Sequence, residues 1–347
     1  MIEKEYTIQE LATAVTDFST TQISEVQGKS WQDSVVLFGE SLKMFDQVVD
    51  INTYMVGKGD KTVTIPKTTS VLSIDTVPSA GEGDVRDNTE ITNLDTVDLT
   101  IAAASFLRGS IAISKQVVLT SRVDLVAHAR DRIAQAMSQD VDKAIAGSGT
   151  GDAVAAGGAG LQHADVTNNV FGGSGVTAPS GLAAGDVFTT DMIPDAMAQI
   201  ENSDFVPAYL FVSPYQMKVL RKDPQFVNAA EYGANSVVMK GEIGQYLGIK
   251  IISTTNTPAY ALGAQDINQY AVGDATDVYA AAANVCPMVG VSKSGMKVAG
   301  TLAWKEMPAV GYEFKPNEAT HFVFYDQAFI FGLVQPKAVS LIKVTQA

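Results

Sequence analysis

Cysteine is nearly absent from this sequence, which carries one, Cys286, among its 347 residues. A single cysteine cannot form an intrachain disulfide, so nothing indicates an oxidising compartment. Cys286 precedes Pro287 in an apolar stretch, and this setting favours a small core side chain over a nucleophile. The sequence therefore predicts neither a disulfide-stapled fold nor a cysteine enzyme.

Long apolar runs are also missing. The most apolar stretch, residues 322–334, is interrupted by an aspartate, a glutamine and a glycine, whereas a membrane helix needs roughly 18 consecutive apolar residues. The first residues, around Lys4, are charged and lack the apolar stretch of a secretory signal. The sequence therefore predicts a soluble, cytoplasmic protein with no membrane partner.

Charge is scarce and unbalanced. Charged residues make up 18% of the chain, below the roughly 25% of a typical soluble domain. Lys and Arg number 24 against 38 Asp and Glu, which gives a net charge of −14 and argues against a protein that grips nucleic acid. Hydrophobic residues, at 46%, suffice for a core and exclude disorder. So low a fraction of charged residues indicates that part of the surface of this protein is buried against neighbouring subunits.

Residues 61–115 carry the period-two alternation of β-strands, which continues through Ile111 and Ile113. The polar stretch 79–90 predicts a hairpin tip between two strands of roughly 15 residues, each about 50 Å long. An isolated two-stranded ribbon is marginal in water, so we predict that this one lies across neighbouring subunits. The predicted inter-subunit contacts are Val63, Ile65, Val97, Leu99 and Ile101.

Residues 121–146 form the clearest predicted helix, with an N-terminal signal at Ser121 and Asp124 and a stop at Gly147. One face of this helix is predicted to be solvated and includes Asp142. The apolar stripe on its other face comprises Val123, Val126, Ile133, Met137, Val141 and Ile145.

The rest of the chain divides into four kinds of segment. Residues 1–60 predict an arm that has no partner close to it in sequence, and 147–185 predict a long Gly- and Ala-rich loop. Residues 209–252 predict a compact α/β unit, in which a buried strand leads to a helix opened by Ser213-Pro214 and then to a second strand. Residues 311–344 predict further strands.

Catalytic and ligand-binding patterns are lacking. Gly28-Lys29-Ser30 resembles the end of a phosphate-binding loop, but Ile23 stands where that loop needs glycine. The histidines at 128, 163 and 321 lie far apart without ligand spacing. The acidic cluster within 79–90 is most simply a solvated turn, with weak cation binding as the alternative. The sequence therefore predicts a non-enzyme with no cofactor and no metal.

The order of these segments resembles that of tailed-bacteriophage major capsid proteins of the Hong Kong 97-type fold family. The resemblance covers essentially the whole chain and lies in the succession of segments rather than in any one motif. Its most specific parts are 210–216, the Arg221-Lys222-Asp223-Pro224-Gln225-Phe226-Val227 segment, 241–253 and the closing Gln335-Pro336-Lys337-Ala338-Val339.

The resemblance implies an α+β fold with an N-terminal arm, an extension-loop β-hairpin, a peripheral domain with a long spine helix and an axial α/β domain. The expected boundaries are the arm and entry to the peripheral domain at 1–60, the hairpin at 61–115, the spine helix and Gly/Ala-rich loop at 116–190, the axial domain at 191–305, and the return strands of the peripheral domain at 306–347.

The resemblance also implies a function, that of a structural subunit assembling as hexamers and pentamers into an icosahedral shell around double-stranded DNA. Its expected partners are copies of itself, a portal protein, possible decoration proteins, and DNA held through weak, non-specific contact. Because the arm begins almost at Met1, a separate scaffolding protein is expected. The expected location is the virion, after assembly in the host cytoplasm.

Three alternatives stay open at this point. An encapsulin-like compartment would share the fold but enclose an enzyme cargo. A β-rich tail or adhesion protein would need Trp-lined clefts, and only Trp31 and Trp304 are available. An enzyme would need a site that these residues do not assemble.

Overall fold

The structure is a computed structural model that describes residues 44–68, 94–101, 105–121, 124–147, 160–163, 165–222, 245–264 and 278–345. The arm before residue 44, the predicted hairpin tip, Gly28-Lys29-Ser30 and much of 221–244 lie outside these ranges.

Strands dominate the described part. In chain order they are β1 (Asp50–Asn52), β2 (Thr62–Thr68), β3 (Leu94–Thr100), β4 (Phe106–Ser114), β5 (Asn169–Phe171), β6 (Val206–Val212), β7 (Gln245–Tyr246), β8 (Ile249–Ser253), β9 (Ala259–Tyr260), β10 (Ala283–Val291), β11 (Gly300–Lys315), β12 (Thr320–Leu333) and β13 (Val339–Thr345). The α-helices are α1 (Lys115–Thr120), α2 (Leu125–Ala146), α3 (Met192–Glu201) and α4 (Pro214–Lys222). None of these described helices has both the length and the apolar character needed to cross a membrane.

The strands form two sheets and a separate hairpin. The larger sheet has the order β5-β13-β10-β6-β8-β7, with β9 also paired to β10. The smaller sheet has the order β1-β11-β12-β4, and β2 pairs with β3 alone. One apolar core joins the two sheets, since Phe211 of the larger sheet and Trp304 and Phe329 of the smaller sheet are buried in the same cluster.

Helix α2 lies against the smaller sheet and begins at a clear cap. The Asp124 side chain accepts hydrogen bonds from the backbone N–H groups of Val126 and Ala127, so the helix starts there and not at Ser121, which ends α1. It stops at Gly147, whose φ of 81° is the left-handed conformation that glycine adopts readily. Most of the predicted apolar stripe is buried: Ile133, Met137, Val141 and Ile145. Val123 lies outside the described residues.

The α/β unit predicted from 209–252 is present in the larger sheet. Strand β6 runs parallel to β8, α4 follows β6 directly, and α3 precedes β6. Cys286 is fully buried in β10, and burial raises the pKa of its thiol to about 12. The interpretation of Cys286 as a core residue is confirmed.

Two strand assignments from the sequence were wrong. Ile111 and Ile113 do not continue the hairpin, because their strand, β4, pairs antiparallel with β12 in the smaller sheet. The resemblance implied that all of 306–347 forms the return strands of one domain, but β13 pairs with β10 and β5 in the larger sheet, apart from β11 and β12. In both cases the sequence identified a strand correctly but carried no information about its partner.

Candidate subunit interface

The β2–β3 hairpin has one apolar and one polar face. Val63 pairs with Leu99 and Ile65 pairs with Val97, so these side chains share a face. The opposite face is exposed and hydrogen-bonded across the strands, with Thr62 Oγ1 lying 2.9 Å from Thr100 Oγ1. On the same polar face Thr64 donates to Asp98 Oδ1 at 2.6 Å. The strand alternation predicted from the sequence therefore places the apolar residues on one face.

The structure separates the five predicted contact residues into two groups. Leu99 and Ile101 are only 5% and 6% exposed and are buried in a cluster of their own subunit, formed with Met55, Ala303 and Ile330. Val63, Ile65 and Val97 are half-buried and pack on the edge of that cluster. The expectation that the apolar residues of the hairpin find no cover within one subunit was therefore wrong for Leu99 and Ile101. The other three side chains keep exposed area for a partner.

Leu99 sits over a glycine in the smaller sheet. A Cβ atom built on Gly332 would overlap Leu99 Cδ2 and would lie 3.1 Å from Leu99 Cγ. The absence of a side chain at Gly332 therefore lets the hairpin approach the sheet closely. This contact joins residues far apart in sequence, and the alternation of the hairpin gave no sign of it.

The face that carries the hairpin extends beyond it along β12. Because side chains alternate along a strand, Ile330 beneath the hairpin shares its face with Phe322, Phe324 and Asp326. Phe324 is 38% exposed, and Phe106 of β4, which pairs with Ala328 on this same face, is 37% exposed. The Arg108–Asp326 pair lies between these two rings on the same face, so the face presents two separate exposed rings rather than one contiguous apolar patch.

Charged groups border these exposed rings. The Arg108 guanidinium lies 3.2 Å from Asp326 Oδ1 and 3.5 Å from Glu306 Oε2, and it also stands over the Phe106 ring at 5.5 Å. Lys315 Nζ lies 4.4 Å from the centroid of the Phe322 ring. Exposed pairs of this kind contribute at most about 1 kcal/mol each, so their main effect is to place charged groups between and beside the exposed rings.

The N-terminal end of the described chain is held by a buried carboxylate. Asp142 Oδ1 accepts hydrogen bonds from the N–H groups of Met44 at 2.8 Å and Phe45 at 2.6 Å. Its other oxygen, Oδ2, accepts one from Asn256 Nδ2 at 2.7 Å. The Phe45 ring stacks on Phe211 with centroids 4.1 Å apart. Helix α2, the larger sheet and the segment before β1 therefore meet at one side chain.

The sequence prediction for Asp142 was wrong, because the side chain is fully buried and not on a solvated face. Burial raises the pKa of this carboxyl, although the three hydrogen bonds act in the opposite direction. One sequence signal could have identified the site. An acidic residue in the last turns of a helix faces the negative end of the helix dipole, so a specific partner is needed to hold it there.

Residues 44–49, the end of the predicted arm, have partners in their own subunit that are distant in sequence. Phe45, Val48 and Val49 are buried in the main core. Residues 1–43, the greater part of the predicted arm, lie outside the described ranges. Across those ranges no group of three or more His, Cys, Asp or Glu side chains is arranged to hold a metal ion.

Comparison with known proteins gives a consistent result. A family model described as "Phage capsid protein" matches residues 96–341. No curated protein sequence matches the chain significantly.

Solved structures share the fold at low sequence identity. The capsid of Ralstonia phage GP4 is 16% identical with a TM-score of 0.66, and the match covers 92% of this chain and 96% of that chain. The capsid of cyanophage P-SCSP1u is 13% identical with a TM-score of 0.61, covering 99% and 100%. The mature capsid of bacteriophage PhiM1 is 13% identical with a TM-score of 0.59, covering 92% and 91%. These likenesses support a mixed α/β capsid fold over almost the whole chain.

Proposed function

This chain belongs to the phage capsid protein family and is a major capsid protein of a bacteriophage virion, and we propose that its copies assemble as hexamers and pentamers into an icosahedral shell enclosing double-stranded DNA. The observation that carries the proposal is the two-faced hairpin. Its base is seated on its own subunit, while Val63, Ile65 and Val97 stay half-exposed.

In this proposal the described elements take the parts expected from the resemblance. The β2–β3 hairpin is the extension loop, α2 is the spine helix, and the smaller sheet forms the peripheral domain. The larger sheet with α3 and α4 forms the axial domain. The segment anchored by Asp142 is the end of the N-terminal arm.

The smaller sheet also offers an acceptor surface for a neighbouring hairpin. The exposed rings of Phe106 and Phe324 lie on the face that already carries the subunit's own hairpin. A second apolar ribbon laid on this face would shelter both sets of side chains from water, at roughly 25 cal/mol for each Å² of apolar surface buried. This complementarity supports association between copies of the chain.

The remaining partners belong to the same proposal. With a net charge of −14, a lining made by this protein would hold phosphates weakly, so packaged DNA would move against counterions rather than bind tightly. A separate scaffolding protein, a portal protein and possible decoration proteins complete the proposed set, with assembly in the host cytoplasm. Negative-stain electron microscopy of the expressed protein tests shell formation directly, and DNA within purified virions distinguishes this shell from an encapsulin-like compartment.

Replacing Ile65 and Val97 together with aspartate is expected to leave a folded subunit that forms no closed shells. The two residues are directly paired and half-buried, so their loss spares the buried cores. At a subunit contact each new carboxylate would have to be desolvated without a partner, which costs several kcal/mol. Circular dichroism measures folding, and electron microscopy with size-exclusion chromatography measures shells.

The control places the same charge on the other face of the hairpin. Thr62→Asp combined with Thr96→Asp changes exposed polar positions and is expected to preserve folding. If the Ile65→Asp/Val97→Asp protein forms shells in normal yield, the apolar face of the hairpin is not a subunit contact. Leu99 and Ile101 are left unchanged because their burial within the subunit would confuse folding with assembly.

A further inference from the structure

Strand β11 carries an extra residue at Lys305. Its pairing with β12 shifts register between Trp304 and Glu306, so Lys305 is the additional residue of a β-bulge. Bulges often redirect a side chain that would otherwise follow the regular alternation of the strand. Here the half-buried Lys305 side chain points toward the segment 53–60, which joins β1 to β2.

Three main-chain carbonyl groups surround the Lys305 ammonium. Nζ donates to the carbonyl oxygens of Asp60 at 2.8 Å, Met55 at 3.4 Å and Lys58. A lysine ammonium has three donors and no acceptor, so the site matches its full donor capacity. No carboxylate among the described side chains forms an ion pair with it. Lys305 therefore anchors main-chain carbonyl groups and does not serve as the ion-pair partner of a carboxylate.

The segment held by Lys305 leads directly into the hairpin. Asp60 lies two residues before Thr62, where β2 starts, and the Lys61 carbonyl between them accepts a hydrogen bond from the N–H of Ile101 at 2.8 Å. Met55 of the same turn is buried beside Leu99 and Ile101. The position of this turn thus sets both the start of the hairpin and part of its seat.

We propose that Lys305 is a positioning residue for shell assembly, fixing the angle at which the hairpin leaves its own subunit. Its contribution to assembly rests on the proposed shell function, whereas the hairpin angle is a property of a single subunit. Without the ammonium the three carbonyls turn to water and the 53–60 turn gains freedom. The hairpin then samples several directions, and its apolar face meets a neighbour in the right orientation less often.

The test measures hairpin direction in the isolated subunit of Lys305→Met, which keeps side-chain length but removes every donor. Spin labels are placed on Thr96→Cys in the hairpin and Ala134→Cys on the exposed side of α2. The native Cys286 is fully buried with its pKa raised to about 12, so it escapes labelling. Pulsed electron–electron double resonance spectroscopy measures the distance between the two labels. We expect one narrow distance distribution when Lys305 is present and a broad distance distribution in the Lys305→Met protein.

Assembly provides the second measurement. Loss of hydrogen bonds from a charged donor is expected to reduce shell yield at least about tenfold at equal protein concentration, while the thermal midpoint changes little. Lys297→Met is the matched control, because Lys297 Nζ donates to one main-chain carbonyl, that of Asp46, at 3.2 Å. This control is expected to keep both the narrow distance and the shells.

Lys305→Arg extends the test should the methionine variant fold poorly. Its planar guanidinium retains the charge but does not match a three-sided carbonyl site, so an intermediate broadening is expected. An unchanged narrow distance in a folded Lys305 variant would overturn the positioning role even if wild-type shells form. Failure of the wild-type protein to form any shell would instead count against the proposed function and leave the distance measurement interpretable.

Discussion

Gly332→Val is expected to give a folded subunit whose hairpin is displaced and whose shells are lost. A Cβ at Gly332 already overlaps Leu99 Cδ2, and valine adds two methyl groups in the same space. Overpacking of this kind costs typically about 1–3 kcal/mol. The strain falls on the seat of the hairpin, since Gly332 has no left-handed φ that a side chain would disturb.

A second substitution, at Leu99, tests whether the effect of Gly332→Val comes from its overlap with the Leu99 side chain. Leu99→Ala alone removes a buried side chain and is expected to cost about 2–5 kcal/mol. In the Gly332→Val/Leu99→Ala protein the valine methyl groups occupy the vacated space, so the two losses of free energy should not add. Urea unfolding measures the interaction, and electron microscopy measures how far shell formation is restored.

Gly59→Ala is the control for replacing a glycine near the same hairpin. A Cβ at Gly59 meets nothing within 4 Å and its φ is not left-handed, so normal stability and normal shells are expected. Normal shell yield from Gly332→Val would show that the contact between Leu99 and Gly332 does not govern assembly. Simple additivity in the double variant would show that the two side chains do not compete for one space.

Local signals in the sequence were enough to predict the elements of this fold. The alternation of Val63 and Ile65 with threonines placed one face of the hairpin correctly, because side chains of a strand point to opposite faces in turn. Gly147 located the end of α2 because glycine readily adopts the left-handed conformation of a helix stop. Ser213-Pro214 located the start of α4 because proline suits the first position of a helix.

Pairings between distant segments could not be predicted in the same way. The isoleucines of β4 look like a continuation of the hairpin, and only the presence of β12 as a partner assigns them to the smaller sheet. From the sequence, Leu99 is predicted to contact a neighbouring subunit, whereas in the structure it packs against Gly332 of its own subunit. Hydrophobic alternation predicts which face of a strand is buried, but it does not predict which segment packs against that face.

The same reasoning explains why the polar parts of the candidate site were missed. Asp142 and Lys305 look like ordinary surface charges, since such side chains are rarely buried without partners. Their partners here include backbone N–H and carbonyl groups, which every residue possesses and no sequence motif marks. The bulge that turns Lys305 out of its ladder depends on the register of β11 against β12.

Replacing Asp142 with alanine is expected to destabilise the subunit by about 3 kcal/mol or more and to release residues 44–49. The buried donors on Phe45 and Asn256 and the part-buried donor on Met44 would lose this acceptor, and each unsatisfied buried group costs about 1–3 kcal/mol. Hydrogen exchange at the amides of Met44 and Phe45 measures the release, and urea unfolding measures the loss. Asp131→Ala, at an exposed position of the same helix, is expected to change neither.

Asp142→Asn distinguishes the charge of this side chain from its hydrogen bonds. Asparagine keeps an oxygen that can accept from Met44 and Phe45, so the variant is expected to retain more stability than Asp142→Ala. It cannot titrate, however, and burial raises the pKa of the native carboxyl above its ordinary 3.8. Between 3.8 and that raised value the folded protein binds more protons at this site than the unfolded chain does.

The pH dependence of unfolding should therefore differ between the wild-type protein and Asp142→Asn. The contribution of a group whose pKa rises on folding is fully present below the unfolded pKa and is lost as pH rises through the folded pKa. The wild-type free energy of unfolding should thus fall, relative to that of Asp142→Asn, as pH increases upward from about 3.8. Urea unfolding of both proteins in matched buffers across this range measures the difference. Parallel curves would mean that the carboxyl titrates alike in both states, with the three hydrogen bonds fully offsetting the effect of burial, and would overturn the raised pKa.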